Sequence, residues 1–314
     1  MNILILSCGT RNKLVSYFKE NNFFEKVVVT DCSEHAPALY VADKYYIVPR
    51  MNEVGYLDCL MDICKKEGIQ TVLPLQEEEL LLIAQNKKLF EELNIMPIVS
   101  DYEKVSLCKD KFLLNQWLEE HAINAVPTEL ATDYLKKADC HKDIYVKPRF
   151  GAGSINTMPV HSKRLLEALV DETSEELIVQ PSITGKEFGV DVYVDIISKE
   201  VIACFCKEKL RMRAGETEKS LSVKNNQIKE LVTKAVKALG LVGPLDVDVM
   251  EWNGEYYILE INPRFGGGYP HAYACGVSFP DYIACNGKRE RNASGIDAYA
   301  ENTLAMKYSE IIVK

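Results

Sequence analysis

The chain has no stretch approaching the roughly 20 consecutive apolar residues that a membrane-spanning helix requires. It has no surplus of positive charge either. Its 37 Lys and Arg face 46 Asp and Glu, for a formal net charge of -9. An acidic surface argues against nucleic acid or an anionic membrane as the main partner, without excluding a local basic pocket. None of the ten cysteines stands in a C-x-x-C pair, so structural zinc is not indicated, and scattered free thiols suit a reducing compartment. Cys204 and Cys206 alternate along VIACFCKEK, where packing is favoured over metal or redox work. No G-x-G-x-x-G follows the first apolar run, which disfavours a NAD site, and the Walker pattern G-x-x-x-x-G-K-[ST] is missing. No arrangement suggests a Ser-His-Asp triad. The opening MNILILSCGTRNK lacks a basic n-region and a small-residue cleavage site, so it reads as a first strand of a cytoplasmic protein.

What is present is a chain of 314 residues, long enough for two or three packed subdomains around sizeable cores. Over residues 1–100, short apolar runs (NILILS, VVVTD, ADKYYIVP, TVLPL, MPIVS) alternate with helical patterns, including 54–67 and 77–94. This predicts a parallel, doubly wound sheet. Ligands of such sheets sit at the carboxyl ends of the strands, here near Cys8–Arg11, Asp31 and Gln76–Glu79. A helix is expected over 109–121, a strand into a glycine-containing loop over 143–154, and helices over 162–172 and 224–239. The segment from Glu176 to Lys209 alternates as antiparallel strands. LDVDVMEWNGEYYILEINPRF reads as a hairpin closed at Asn253-Gly254.

Four segments carry chemistry. In YVKPRFGAGS, Lys147 ends a strand before a loop with Gly151, Gly153 and Ser154, whose backbone can approach an anion closely. A hairpin turn with a solvated lysine gives the same pattern. In IVQPSITGKEFGVDV, a short connector precedes Glu187; ordinary loops look like this too. In the hairpin, Glu260 and Asn262 are two apart, so they project from one face of a strand beside a facing Asp248. Such hard oxygen donors suit Mg²⁺ completed by waters and phosphates, or simply a satisfied polar face. In KEKLRMRAGETEKS, Arg211 and Arg213 form a phosphoryl clamp or a charged surface loop.

In this order, SLCKDKF, VKPRFGAGS, VQPSITGKEFGVDV, RMRAGETEKS and LEINPRFGGGYPHAYACG resemble the ATP-grasp superfamily, nearest to the carbamoyl phosphate synthase large-subunit-like carboxylate–amine ligases. EINPR with its upstream aspartate is the most specific element, and residues 1–100 resemble the domain usually found in front. The resemblance implies an α/β and α+β chain: a parallel-sheet pre-ATP-grasp domain over 1–104, then a two-lobed ATP-grasp fold with antiparallel sheets, its N-lobe over 105–182 and its C-lobe over 183–314. It implies ATP with Mg²⁺ or Mn²⁺, activation of a carboxylate as an acyl phosphate, and attack by an amine.

By the same resemblance, Lys111 and Lys147 would contact phosphates under the loop Gly151 to Ser154. Gln180 and Ile183 would meet adenine, and Glu187 the ribose. Asp248, Glu260 and Asn262 would hold the metal, while Arg264 and Arg213 would stabilise the transferring phosphoryl group. Two departures stand out. Pro181 occupies a position where many relatives carry glutamate, which alters nucleotide fit. Asp248 replaces a longer side chain and would reach a metal through water. The substrate pocket is expected around Arg11, Glu77, Arg211, Gly267 and His271, with Tyr273 beside them. An arginine suits a carboxylate and a glutamate an amine, which would fit an amino acid. Bicarbonate activation, as in carbamoyl phosphate synthesis, and a non-catalytic ATP-binding subunit are the competing readings. The partners expected are small-molecule carboxylates and amines, with a homodimer allowed and neither nucleic acid nor membrane involved.

Overall fold

The computed structural model describes residues 1–137, 143–151, 153 and 155–313. Ser154 lies outside the described residues. Strands β1 (Asn2–Leu6), β2 (Lys26–Asp31), β3 (Lys44–Ile47), β4 (Thr71–Pro74) and β5 (Met96–Pro97) form the expected parallel sheet in the order β3-β2-β1-β4-β5. The runs of β1, β2, β4 and β5 are buried by helices α1 (Asn12–Lys19), α2 (Tyr56–Glu67), α3 (Glu77–Gln85) and α4 (Lys87–Glu91) and by later elements, while the edge strand β3 is largely exposed. The strand order reverses at β1, so the loops after β1 and β4 splay apart and open a crevice at their carboxyl ends.

One predicted helix is broken in two. The pattern over 77–94 divides at Asn86, which leaves helical geometry while its amide bonds the Leu82 carbonyl at 2.8 Å. The helix expected over 109–121 is α6 (Lys111–Glu120), which an extended Asp110 separates from α5 (Tyr102–Lys109) before it. Asp110 Oδ1 accepts from Phe112 N at 3.2 Å and Leu113 N at 3.0 Å, capping α6. Its carboxylate is also gripped by Arg149 Nε at 2.8 Å and Nη2 at 2.5 Å. This two-point grip fixes the loop after Lys147 against the start of α6.

The middle of the chain builds a four-stranded sheet, β6 (Glu129–Leu130), β7 (Ile144–Pro148), β8 (Met158–Val160) and β9 (Leu177–Pro181), in the order β6-β9-β7-β8. It packs with α7 (Ala131–Tyr134) and α8 (Lys163–Glu172) around a small core. The third sheet runs β14-β13-β10-β11-β12-β15, from β10 (Glu187–Val194), β11 (Val201–Arg213), β12 (Glu216–Val223), β13 (Gly243–Trp252), β14 (Glu255–Asn262) and β15 (Leu304–Met306). All its pairings are antiparallel. The β13–β14 hairpin closes at Asn253 and Gly254, with φ of 53° and 81°, the left-handed pair that a two-residue turn needs.

One face of this sheet is apolar. Val190, Val192, Cys204, Cys206, Val247, Val249 and Ile261 pack on α9 (Asn226–Leu239), which presents Ile228, Val232, Ala235, Val236 and Leu239. Cys204 and Cys206 are thus core residues. The other face is polar where it looks into a cleft and apolar at its far end, where Tyr193 and Phe205 lie. Beyond β14, α10 (Tyr269–Ala274) and α11 (Phe279–Gly287) join the six-stranded sheet to the parallel sheet through a core containing Phe18, Tyr193, Phe205, Phe265, Tyr269 and Phe279. Among the described residues no helix is long and apolar enough to cross a membrane.

The connector between β9 and β10 lies against the hairpin: a Cβ on Gly185 would sit 1.9 Å from the Glu251 carbonyl oxygen. That neighbour is backbone, held by a bond from Glu251 N to the Lys186 carbonyl at 2.9 Å. Gly185→Val is therefore expected to lower stability by about 1–3 kcal/mol, read as a shift of the urea midpoint at unchanged slope. An unchanged midpoint would show that the connector packs elsewhere.

Candidate active site

Side chains alternate along a strand, so the sheet face opposite α9 carries a grid of charge. Register places Lys207, Gly189, Asp248 and Glu260 in one row across β11, β10, β13 and β14. Asp191, Asp246 and Asn262 form the next row. Lys209 Nζ lies 2.7 Å from Glu187 Oε1 and 2.6 Å from Asp248 Oδ1. Lys207 pairs with Asp191, both almost wholly buried. Gly189 is the gap that admits both lysines: a Cβ there would stand 3.2 Å from the Cε of each.

Glu260 reaches this face through an irregularity that the sequence pattern does not reveal. Asp248 pairs with Glu260, but Val249 pairs with Ile258, which leaves Leu259 as an extra residue. This bulge turns Ile258 into the core while Leu259, Glu260 and Asn262 line the cleft.

The cleft has a volume of ≈ 720 Å³, within the range that holds small-molecule ligands. Its floor is the charged grid. One wall comes from β7 and β9 with the connector after them, including Lys147, Gln180 and Ile183, and the other from Arg11 and Leu75–Glu78 at the ends of β1 and β4. The roof is a contact between two glycines, since a Cβ on Gly215 would lie 2.3 Å from the Gly153 carbonyl oxygen.

Lys111, Lys147, Gly151, Gly153, Gln180, Ile183, Glu187, Arg213, Asp248, Glu260, Asn262, Arg264, Arg11, Glu77 and Gly267 all line this one cleft. Lys111 Nζ bonds the Gly151 carbonyl at 2.5 Å. Gln180 is held by its bond to Thr128 Oγ1 at 2.8 Å. Lys147 is 7% exposed, and its side chain makes no hydrogen bond or ion pair among the described residues. Burial pushes its ammonium below the usual lysine range against the pull of Glu260. Burial pushes the Glu260 carboxyl up, but Lys147, the Asn262 amide, Lys111 and Lys209 together outweigh it and hold it below the ordinary value. Asn262 Nδ2 lies 3.1 Å from Glu260 Oε1, so the two head groups converge. Asp248 differs: burial, only partly offset by Lys209, pushes it up to about 7. Arg264 bridges the chain's two halves, with Nη2 3.0 Å from Glu77 Oε1 and Nη1 3.6 Å from Asp246 Oδ2.

Three expectations are corrected. Arg211 does not line the cleft; its Nε lies 2.8 Å from Glu218 Oε2, and its side chain is 62% exposed. Pairing of β11 with β12 is irregular on both sides of Arg211, which breaks the alternation that would have aligned it with Arg213. His271 is buried behind the cleft, with Nδ1 2.8 Å from Ser220 Oγ and Nε2 3.0 Å from the Thr303 carbonyl. Tyr273 stacks on Tyr17 at 3.7 Å between ring centroids. Two residues near the first strand prove structural as well. Asp31 accepts from the Gly9 and Ser33 amides, and the wholly buried Glu79 bonds Ser7 and Tyr56.

Asp246, Lys207 and Lys209 also line the cleft without having been expected there. Asp246 stands two before Asp248 on its strand, and Lys207 two before Lys209, and that spacing is their signal in the sequence. The triplet Gly266–Gly268 has a specific reason. A Cβ would come within 2.4 Å of Asp246 at Gly266, 3.1 Å of Arg11 at Gly267 and 2.7 Å of Lys207 at Gly268.

His271 yields a pH prediction. Burial, and then the charge of Lys207, push its imidazole from 6.5 down to about 4. Between those values the unfolded chain binds a proton that the folded chain refuses. Its contribution is therefore complete above 6.5 and is lost as pH falls toward 4. His271→Gln should show a smaller fall in urea midpoint between pH 8 and pH 4.5 than the parent. An equal fall would show that His271 does not titrate in this way.

Residues 108–268 match the family model described as "ATP-grasp domain", and residues 3–98 match "PylC-like, N-terminal domain". The arginine-specific carbamoyl phosphate synthase large chain of Geobacillus stearothermophilus is 24% identical over 257 residues, covering 77% of this chain and 24% of its own length. The chain thus spans about a quarter of the length of that relative. Among solved structures, N5-carboxyaminoimidazole synthetase from Staphylococcus aureus, complexed with ADP, superposes with a TM-score of 0.75 at 20% identity, over 97% of this chain and 79% of that one. The L-amino acid ligase from Bacillus licheniformis gives a TM-score of 0.73 at 19% identity, over 93% and 75%. Since one family model spans residues 108–268, just over half of the 314 residues, and the two-lobed cleft carries that fold, the chain belongs to the ATP-grasp family.

Proposed function

We propose that this chain uses ATP to activate a substrate carboxylate as an acyl phosphate and joins it to an amine, releasing ADP and phosphate. The observation that carries this reading is the buried, unpaired Lys147 within electrostatic reach of Glu260, whose head group converges with Asn262. A buried cation without a partner is costly, and an anionic ligand relieves that cost. The solved relative bound to ADP and the amino acid ligase support it.

Glu260 and Asn262 fit Mg²⁺: both offer hard oxygens, and the charge around Glu260 favours its ionised form. Among the described residues no group of three or more His, Cys, Asp or Glu is placed to hold a metal alone. This suits an ion that takes the rest of its shell from phosphates and water. Asp248, engaged by Lys209, would act from behind. Magnesium, when bound, neutralises phosphate charge and aligns the transferring group.

The protein's own work is positioning. Lys111 and Lys147 face the phosphates beneath Gly151 and Gly153. Gln180 and Ile183 line the base end, and Glu187 stands near the ribose. Arg264, aimed by Glu77 and Asp246, meets the charge that develops on the acyl phosphate, with Arg213 at the cleft mouth. No covalent nucleophile from the protein is required. We assign residues 1–104, 105–182 and 183–314 as the units that supply the three sheets.

The product decides the chemistry. Incubation with Mg-ATP and paired amino acids should release ADP and phosphate; AMP with pyrophosphate would rule out an acyl phosphate. ADP release with bicarbonate alone would favour carbamoyl phosphate-type activation, the reaction class of the Geobacillus relative. Lys147→Met and Glu260→Gln should each lower kcat/KM by about 10²–10³-fold. Lys147→Met should also melt no lower than the parent, because it removes an unpaired buried charge. Full turnover in both variants would refute the site assignment.

A further inference from the structure

Seven cations line the cleft, and five have partners: Lys111 with Gly151, Lys207 with Asp191, Lys209 with Glu187 and Asp248, Arg213 with Glu218, and Arg264 with Glu77. Lys147 and Arg11 have neither hydrogen bond nor ion pair from their side chains among the described residues. Lys147 faces the phosphate end. Arg11, half-buried just before α1, stands at the other end, over Gly267 and near Arg264.

The missing pair is informative because an acid is at hand. A Cβ on Gly267 would lie 3.1 Å from Arg11 Nη1 and 3.2 Å from Glu216 Oε1, so the two head groups approach one backbone position. Glu216 nevertheless turns to Lys307, whose Nζ is 2.7 Å from Glu216 Oε2. Lys307 follows β15 directly and is pinned by its backbone N–H to the Glu218 carbonyl at 2.8 Å. The C-terminal edge strand thereby places a competing cation beside Glu216.

We propose that Arg11 binds a carboxylate of the second substrate, and that Lys307 keeps Arg11 available by holding Glu216 aside. This rests on the ATP-dependent ligase reading of the cleft. A guanidinium matches a carboxylate with two parallel hydrogen bonds. The surroundings are of mixed sign: Asp246 makes no hydrogen bond among the described residues, and its nearest cation is Arg264 Nη1 at 3.6 Å. A carboxylate with free acceptor capacity beside an open guanidinium suits a molecule carrying both an ammonium and a carboxylate. The substrate class is an amino acid, held by the carboxylate that is not joined in the reaction. Burial lowers the Arg11 guanidinium below its ordinary value, as expected of a cation awaiting an anion.

The test uses the full chain loaded with MgADP. Calorimetric and thermal-shift titrations compare each of the common L-amino acids with the amine lacking its carboxylate. At least one amino acid should bind saturably where its amine does not. Arg11→Met should weaken that binding by roughly 30-fold or more while leaving MgADP and a non-hydrolysable ATP analogue unaffected. Lys307→Met should weaken it in the same direction, and adding Glu216→Gln to Lys307→Met should restore it, which a merely structural lysine would not permit.

The proposal is overturned if no amino acid binds, if the amines bind equally, or if Arg11→Met binds as the parent does. Weakened binding of the ATP analogue in Arg11→Met would place Arg11 on the terminal phosphate instead. An unaltered Lys307→Met, or a double variant without rescue, removes the role of Lys307. Failure of the parent to bind MgADP would overturn both this inference and the ligase reading, whereas failure confined to the amino acids touches this inference alone.

Discussion

Lys209, locked between Glu187 and Asp248, is the interaction on which the cleft depends. Three neighbouring strands bring carboxylates to a single face, and like charges that close resist being held together out of water. Two lysines from the fourth strand, β11, enter over Gly189 and divide that negative charge among themselves. Glu260 and Asn262 then remain at the free edge of the grid, beyond its three internal ion pairs. Lys147 approaches from the second sheet and is left without a partner. The face is thus internally neutralised in its middle and uncommitted at its margin, which is where a ligand of high charge would sit.

The same division explains how three sheets share one site. The parallel sheet contributes residues beyond its strand ends, among them Arg11 just before α1 and Glu77 at the start of α3, and it is clamped to the end of β14 by Arg264. The four-stranded sheet contributes Lys147 on a strand whose following loop is pinned by Arg149 to Asp110. The six-stranded sheet contributes the floor. Each unit has its own apolar core, but the core around Phe265, Tyr269 and Phe279 is common to the first and third. Arg11 is therefore carried on packed elements and not on a loosely tethered domain.

Much of this was legible from residue patterns. Alternating apolar runs gave the parallel sheet, Asn253-Gly254 gave the hairpin, and the two-residue spacing of Glu260 and Asn262 gave a shared face. What escaped was set by partners distant in the chain. Asp110 starts α6 two residues later than its pattern suggests, because Arg149 and the amides of α6 all claim its carboxylate. Leu259 forms a bulge that no alternation rule announces, and irregular pairing beside Arg211 rotates it out of line. His271 has the chemistry of a catalytic residue, and only the fold discloses that Ser220 and the Thr303 carbonyl occupy both its nitrogens. The lysines of β11 were readable as a pair but had no visible counterpart until β10 and β13 were laid beside them.

The triplet Gly266–Gly268 has a consequence for how such a protein diversifies. Each glycine lies under a charged group from a different segment: Asp246 from β13, Arg11 with Glu216 from the first loop and β12, and Lys207 from β11. A side chain introduced there is admitted only if the charged group above it moves aside, so substitution in the triplet is coupled to the charges around the cleft. The loop carrying Arg11 is itself tied to the sheet, by bonds from Cys8 N to the Thr30 carbonyl at 3.0 Å and from Gly9 N to Asp31 Oδ2 at 2.9 Å. The triplet and Arg11 lie far apart in the chain, yet a change in either is felt at the same end of the cleft.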